Sequence, residues 1–472
     1  MSLQELLIMR HEWVLIASVL ILLILELNYE ENNKSRIIPA AAILFALVTI
    51  VGFLPSETGA IFGGMYVTDP LRLLMKNILN LGVLVIFLQS GSWLRTAINF
   101  NRITEFYLLM LSSVIGVSYM ISAGHFLMFY LGLELLTIPI AAAASYEQHQ
   151  SKSAEAGIKL ILSSAFSSAI LLFGLSMLYG ATGSLYFHEI QFSADLLQVL
   201  GFIFFFSGLA FKISIVPFHL WTADVYEGSP TNITSYLSVV SKGAAIFVLI
   251  LLLVTLFEPL RNVWQQVIYG TAIFTMTIGN LFAIRQNNLK RFLAFSSIAQ
   301  AGFILLGIIG GTSLGMATVI YFVLVYVFSN LAAFGVVIAV EQSAGKLKIS
   351  DYNGLYKTNP RLSLAMMLAL FSLAGIPPLA GFFGKFFLFT AAAESGYFML
   401  LFIAVINAVI SLYYYLLVVK AMFINKNESP INYFQSDYAT RMALSACVIG
   451  IIVTGFYSPV FEYIKQLCLQ SF

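Results

Sequence analysis

The chain has 472 residues, of which 60% are hydrophobic and 10% charged, with a mean hydropathy of +0.92. An ordinary soluble domain carries about 25% charged residues, so a water-soluble fold is excluded. The net charge of +2 is thinly scattered and excludes a nucleic-acid surface. Cys447 and Cys468 lie outside any CxxC, so the four thiolates of an iron–sulfur cluster are missing. Of His11, His125, His149, His188 and His219, only His125 and His219 lie near apolar runs, which is too little for a haem pair.

A hydrocarbon core of about 30 Å takes roughly 20 helical residues. Apolar runs punctuated by Pro, Gly and charge predict about fourteen spans, near 7–27, 37–54, 70–90, 104–121, 124–145, 155–180, 196–227, 231–256, 263–284, 292–310, 314–341, 361–396, 397–424 and 441–463. The first ends at Glu26 and Asn28-Tyr29-Glu30-Glu31 without a small-residue cleavage site, and reads as a retained span rather than a signal peptide. Arg72 and Lys76, in the first turns of the third, read as surface anchors, and Leu289–Ser297 (LKRFLAFSS) as a basic anchor at the start of the tenth. The seventh and twelfth are too long for one crossing and contain Pro217 and Pro377-Pro378, so each is expected to be a broken helix.

Loops after odd-numbered spans hold Lys34, Arg36, Arg95, Arg102, Lys152, Arg285, Lys290, Arg291, Lys346, Lys348, Lys357, Arg361, Lys420, Lys426 and Arg441; loops after even-numbered spans hold Arg261. Odd loops are therefore expected in the cytoplasm and both termini on the other side. The broken helices stand five spans apart. An odd number of crossings per copy inverts the second copy, which predicts two inverted five-helix repeats, 104–258 and 259–424, after a three-helix segment 1–103 and before a last helix in 425–472.

Five ionisable groups fall inside predicted spans: Glu134 in FYLGLELLTIP, Lys159 in AGIKLILSS, Lys212 in GLAFKISIVPF, Lys242 in SVVSKGAAIF and Lys385 in FFGKFFLF. At about 1.5 Å of rise per residue, Glu134, Lys242 and Lys385 lie roughly 15 Å deep, and Lys212 near the centre of its broken element. A lysine at mid-bilayer costs about 2.5 to 3.5 kcal/mol on insertion scales. Burial disfavours the ammonium and a neighbouring carboxylate favours it, so a lysine between these influences can exchange a proton near neutral pH. The blander readings are a static Glu134–Lys212 ion pair, a snorkelling Lys159 or one paired with Glu155, and a satisfied core His219. His219 follows the break at Pro217, and its imidazole suits proton exchange.

The runs FYLGLELLTIP, LAFKISIVPFHLWTADVYEGSPT, SVVSKGAA, KRFLAFSSIAQAGF and AGIPPLAGFFGKF together resemble the antiporter-like membrane subunits of complex I, relatives of cation/proton antiporter subunits, over about residues 104–424. In that family a Glu on the fifth helix pairs with a Lys on the broken seventh, a Lys on the eighth is central, and a Lys or Glu on the broken twelfth leads toward the exit. The matching positions are Glu134, Lys212, Lys242 and Lys385. Lysine on the twelfth helix and no long lateral helix after span fourteen resemble the subunit N branch in its bacterial or plastid form. The resemblance implies an all-α polytopic, proton-pumping subunit in a bacterial inner membrane. It would be partnered by other membrane subunits, including a second antiporter-like one. NADH, FMN, iron–sulfur clusters and quinone would be held by partner chains, with no cofactor or metal on this one. The alternatives are a sodium/proton antiporter subunit without a redox partner, and a membrane arm fed by ferredoxin, formate or hydrogen.

Overall fold

The computed structural model describes residues 3–29 and 31–471; Glu30, which helped mark the end of the first predicted span, and the terminal residues themselves fall outside that range. Fourteen spans follow in order: Arg10–Asn28, Ile37–Phe53, Pro70–Leu94, Ile103–Ile121, Phe126–Ala144, Ser151–Thr182, the split seventh Leu196–Ile213 and Leu220–Gly228, Thr231–Thr255, Arg261–Ile284, Leu289–Ile308, Ser313–Ala344, the split twelfth Pro360–Ala374 and Ala380–Glu394, Phe398–Phe423 and Tyr438–Phe456. Thirteen contain a helix long and apolar enough to cross a bilayer by itself. The twelfth is assembled from two short halves.

Spans eight, ten and eleven are almost wholly enclosed by other helices. Outer spans turn Ile24, Ile43, Phe166 and Val409 outward, where hydrocarbon replaces water as solvent. Helix starts are capped by side chains placed for it: Asp69 accepts from the Arg72 N–H at 2.8 Å ahead of Pro70, and Asp195 from the Gln198 N–H at 2.8 Å. Gly183 and Gly345 end spans six and eleven at φ 73° and 64°.

Both expected breaks are present. The first half of span seven ends at Ile213, and Ser214 turns the chain at φ 66°. The Trp221 indole closes the gap by donating to the Phe211 carbonyl at 3.1 Å, and the Val216 N–H donates to Thr275 Oγ1 on span nine at 3.0 Å. Gly375, at φ 89°, ends the first half of span twelve before Pro377-Pro378.

A close-approach device occurs twice. Spans four and five meet backbone to backbone: a Cβ on Gly116 would lie 2.3 Å from the Leu136 nitrogen, and one on Gly132 2.5 Å from the Met120 nitrogen. Spans nine and ten do the same, with Gly279 against Ala299 and Gly302 against Met276, both at 2.6 Å.

Several features depart from the sequence-based expectations. The last span stops at Phe456, and Pro459 starts a separate amphipathic helix, Pro459–Ser471. A short antiparallel hairpin, β1 (Gly59–Ile61) and β2 (Tyr66–Thr68), covers the loop side between spans two and three and bridges to Ala123. Lys76 is no surface anchor. It is buried and paired with Glu12 at 2.5 Å, because the first turns of span three turn inward toward span one. Its neighbour Arg72 bonds to Asp69 at 2.7 Å and to the Ile121 carbonyl at 3.1 Å.

Candidate functional site: a buried row of ionisable groups

Glu134, partly exposed on span five, accepts a hydrogen bond from Ser168 of span six. Lys212, buried at the end of the first half of span seven, donates to Thr137 Oγ1 at 2.8 Å and to Ser164 Oγ. Ser164 and Ser168 are one helical turn apart, as are Glu134 and Thr137. Glu134 and Lys212 thus bond to different hydroxyls, those on span six one turn apart, with no ion pair within 4.0 Å between the two among the described residues, so the expected direct pairing is not seen. A static buried ion pair is thus not what holds Lys212.

Lys242 stands on span eight directly after a π turn, Leu237–Ser241. Such turns interrupt the regular ladder and recur at functional sites. Its Nζ donates to Ser297 Oγ at 2.9 Å and reaches the Ser297 carbonyl at 3.4 Å. The flanking Ser238 bonds instead to the Tyr326 hydroxyl at 3.0 Å. Lys385, in the second half of span twelve, donates to the Ala374 carbonyl at 3.0 Å and to Ser411 Oγ at 3.4 Å. The proline break explains that carbonyl: it lies at the C-terminal end of a half-helix, where carbonyls lack intrahelical donors and the dipole favours a cation.

Span ten connects the last two lysines. Ser297 holds Lys242, and one turn on, Gln300 donates to the Leu373 carbonyl at 2.9 Å and to the Tyr415 hydroxyl at 3.0 Å. Leu373 precedes Ala374, which holds Lys385. Between Lys212 and Lys242 the chemistry differs. Lys212 Nζ lies 5.6 Å from the Phe211 ring, Phe211 stacks on Trp221 at 5.1 Å, Trp221 meets Tyr226 edge-on at 6.2 Å, and Tyr226 lies 6.0 Å from Lys242 Nζ. The hydrogen bonds of Lys212 go to Thr137 and Ser164, and those of Lys242 to Ser297.

The two secondary candidates stand apart from the row. Lys159 is half-exposed and bonds to Glu155 at 2.6 Å and Asp224 at 2.7 Å. It thus makes the expected pair with Glu155 and adds one to span seven. The Leu289–Ser297 segment is more than an anchor. Arg291 pairs with Asp224 at 2.7 Å and Glu227 at 3.2 Å, and Lys290, buried, donates to the Ser229 carbonyl at 2.6 Å. These bonds fasten span ten to the end of span seven. His219 is half-buried beside the exposed Leu220, on the outer side of the break.

Sequence reasoning missed the neutral partners: Thr137, Ser164, Ser168, Ser297, Gln300 and Ser411. Their only signal was polar residues three or four apart in apolar helices, as in Ser164/Ser168 and Ser297/Gln300.

A split-helix membrane bundle with buried lysines at its breaks defines a class of ion-translocating proteins. The family model described as the transmembrane part of NADH:quinone oxidoreductase/Mrp antiporter subunits matches residues 123–411, a stretch that contains all four groups of the row. The chain belongs to this family. It is 49% identical over 472 residues to NADH-quinone oxidoreductase subunit N of Phocaeicola vulgatus, covering 99% of this chain and 100% of that one. To subunit N of Moorella thermoacetica it is 36% identical, with 96% of each chain covered. Among solved structures, a chain of respiratory complex I from Thermus thermophilus superposes with a TM-score of 0.81 at 30% identity, covering 95% of this chain and 97% of that one. A chain of the Mrp complex from Dietzia sp. shares the fold, with a TM-score of 0.83 at 20% identity and 99% and 97% coverage.

Proposed function

We infer that this chain is a proton-translocating membrane subunit of an NADH:quinone oxidoreductase, of the subunit N kind, and that Glu134, Lys212, Lys242 and Lys385 carry the protons. The observation behind the relay is the way its lysines are held. Each of the three is buried and bonded to neutral hydroxyls or a carbonyl, without a carboxylate within 4.0 Å among the described residues. An ammonium so held is solvated well enough to exist and too weakly to be locked.

The mechanism is electrostatic. A change of charge or hydration reaching Glu134 from a neighbouring subunit is felt at Lys212 across the adjacent hydroxyls of Ser168, Ser164 and Thr137, and at Lys242 beyond the aromatic rings. About 1.4 kcal/mol at Lys242 alters its proton affinity tenfold. Charges interacting at low dielectric readily supply that. The proton then moves along the polar face of span ten to Lys385. The stack of Phe211, Trp221 and Tyr226 separates loading from delivery, and its rings must part, or water must enter, for a proton to cross.

The residue ranges 104–258 and 259–424 act as the two inverted units, each with one broken helix and the same glycine contact. Lys159 belongs to the ionic clasp on the cytoplasmic side rather than to the path, and His219 serves proton exchange at the break of span seven. The subunit sits in the bacterial inner membrane beside a second antiporter-like subunit, with both termini outside the cytoplasm. NADH, flavin, iron–sulfur and quinone chemistry takes place on partner chains. The family also contains antiporter subunits, and the 49% identity to a subunit N favours the redox-driven complex over a sodium/proton antiporter. Replacing Lys242 by Ala in the whole complex is expected to leave assembly intact and to cut both proton pumping and coupled NADH oxidation. Normal pumping in proteoliposomes removes Lys242 from the path.

A further inference from the structure

The proposed relay makes no use of the most deeply enclosed ion pair among the described residues. Glu12, near the start of span one, and Lys76, in the first turns of span three, have side chains no more than 1% exposed, with Lys76 Nζ 2.5 Å from Glu12 Oε1. The Tyr66 hydroxyl, on β2, donates to Glu12 Oε2 at 2.7 Å, and accepts from Lys76 Nζ at 3.2 Å and from Thr68 Oγ1 at 3.3 Å. The ammonium thus reaches the carboxylate by two routes, one direct and one through a phenol.

The cluster continues sideways. Asn80, one turn beyond Lys76, donates to His11 Nε2 at 3.1 Å, which leaves the proton of the neutral imidazole on Nδ1. That Nδ1 and the side-chain oxygen of Asn77 are both buried without a partner. Both border one spot, at 3.5 Å and 2.1 Å from where a Gly52 Cβ would lie. An unpartnered donor and an unpartnered acceptor thus stand side by side, packed against Gly52. The other charged or titratable groups facing the cluster are Arg10, which is tied to the carbonyls of Val51, Leu54 and Pro55, and Tyr119 of span four. Met9, Ile61 and the Tyr66 ring form a small apolar lid over it.

A mere strut has little need of such an arrangement, because apolar residues of similar volume fasten helices as well as a buried ion pair does. Its position suits a different task. Lys76 is six residues past Pro70, roughly 9 Å along the helix, at the end facing the loops after even-numbered spans. The same helix meets span eight, where a Cβ on Gly243, the residue after Lys242, would lie 2.9 Å from Leu79.

We propose that Glu12, Lys76 and Tyr66, with His11 and Asn77 beside them, form a second proton-transfer site of the subunit, on its non-cytoplasmic side. A proton passes from the Lys76 ammonium to the Tyr66 oxygen while the Tyr66 hydroxyl proton passes to Glu12. The products are an amine and a carboxylic acid, with net charge unchanged. Glu12 then releases its proton to the outer aqueous phase and Lys76 takes up another from within the bundle, restoring the pair.

This inference rests on the reading of the chain as a proton path. The test uses the whole complex in proteoliposomes with three variants: Tyr66→Phe, Glu12→Gln, and the double Glu12→Gln/Lys76→Met, which removes both charges and leaves no buried ion alone. The expected result is that the double variant assembles and transfers electrons, while Tyr66→Phe and the double variant each pump at least twofold fewer protons per NADH oxidised. Infrared difference spectra on a jump in outer pH should show a protonated-carboxyl band that is absent from Glu12→Gln. Pumping at the unaltered ratio in Tyr66→Phe, or in an assembled double variant, overturns the proposal and leaves the pair a strut. If Lys242→Ala abolishes pumping while these variants retain it, this site alone fails; if all of them pump normally, the proton-path reading fails as well.

Discussion

Ser297 is the residue on which Lys242 most directly depends, since both polar contacts of the ammonium, at 2.9 and 3.4 Å, go to its hydroxyl and carbonyl. A hydrogen bond to a charged group is worth about 1.5 to 3 kcal/mol, which is a tenfold or larger change in how tightly Lys242 keeps its proton. Ser297→Ala is therefore expected to slow proton pumping about tenfold in assembled complex, measured as the initial rate of acidification in proteoliposomes; an unchanged rate shows that the carbonyl suffices. A charge in an apolar run is conspicuous, so Glu134, Lys212, Lys242 and Lys385 were legible in the sequence. Their partners were not. Serine bonds back to its own helix almost anywhere, and nothing in the string separates Ser297 from Ser296, which bonds to Tyr415 at 2.6 Å. Lys76 was misread for a related reason: it stands near a helix start beside Arg72, while its carboxylate, Glu12, is 64 residues away in the chain.

At the level of single helices, backbone interruptions place the lysines. Proline made the two breaks legible, because it removes an N–H and clashes with the preceding turn. The carbonyl of Ala374 that receives Lys385 is a product of such a break. The π turn before Lys242 carries no proline or glycine between Leu237 and Ser241, and so left no mark in the sequence. The helix contacts were equally hidden, although they are exacting. A methyl group on Gly132 would sit 2.5 Å from a backbone nitrogen of span four, and overpacking of this kind costs about 1 to 3 kcal/mol. Gly132→Ala is accordingly expected to lower the thermal unfolding midpoint in detergent, whereas a change at Gly180, which has open space around it, is not.

Across the whole molecule, the charge asymmetry of the loops gives an orientation that labelling can check. Glu57 lies exposed in the loop after span two and Lys426 exposed in the loop after span thirteen, while the native Cys447 and Cys468 are buried. With an impermeant maleimide on intact spheroplasts, Glu57→Cys should react at once and Lys426→Cys only after permeabilisation; the opposite pattern inverts the topology. Span number and the two breaks were legible because bilayer thickness and proline geometry act locally. How fourteen spans close around a row of lysines was not, since it depends on packing between distant segments. The three aromatic rings between Lys212 and Lys242 are a product of that packing. A file of water running from one aqueous phase to the other would short-circuit the membrane, at about 2.3 kcal/mol lost per charge for every 100 mV. In the proposed relay Phe211, Trp221 and Tyr226 stand where that file would pass, and the idle subunit is expected to insulate. Vesicles carrying resting complex should therefore hold an imposed voltage, and the same vesicles with Trp221→Ala should discharge it.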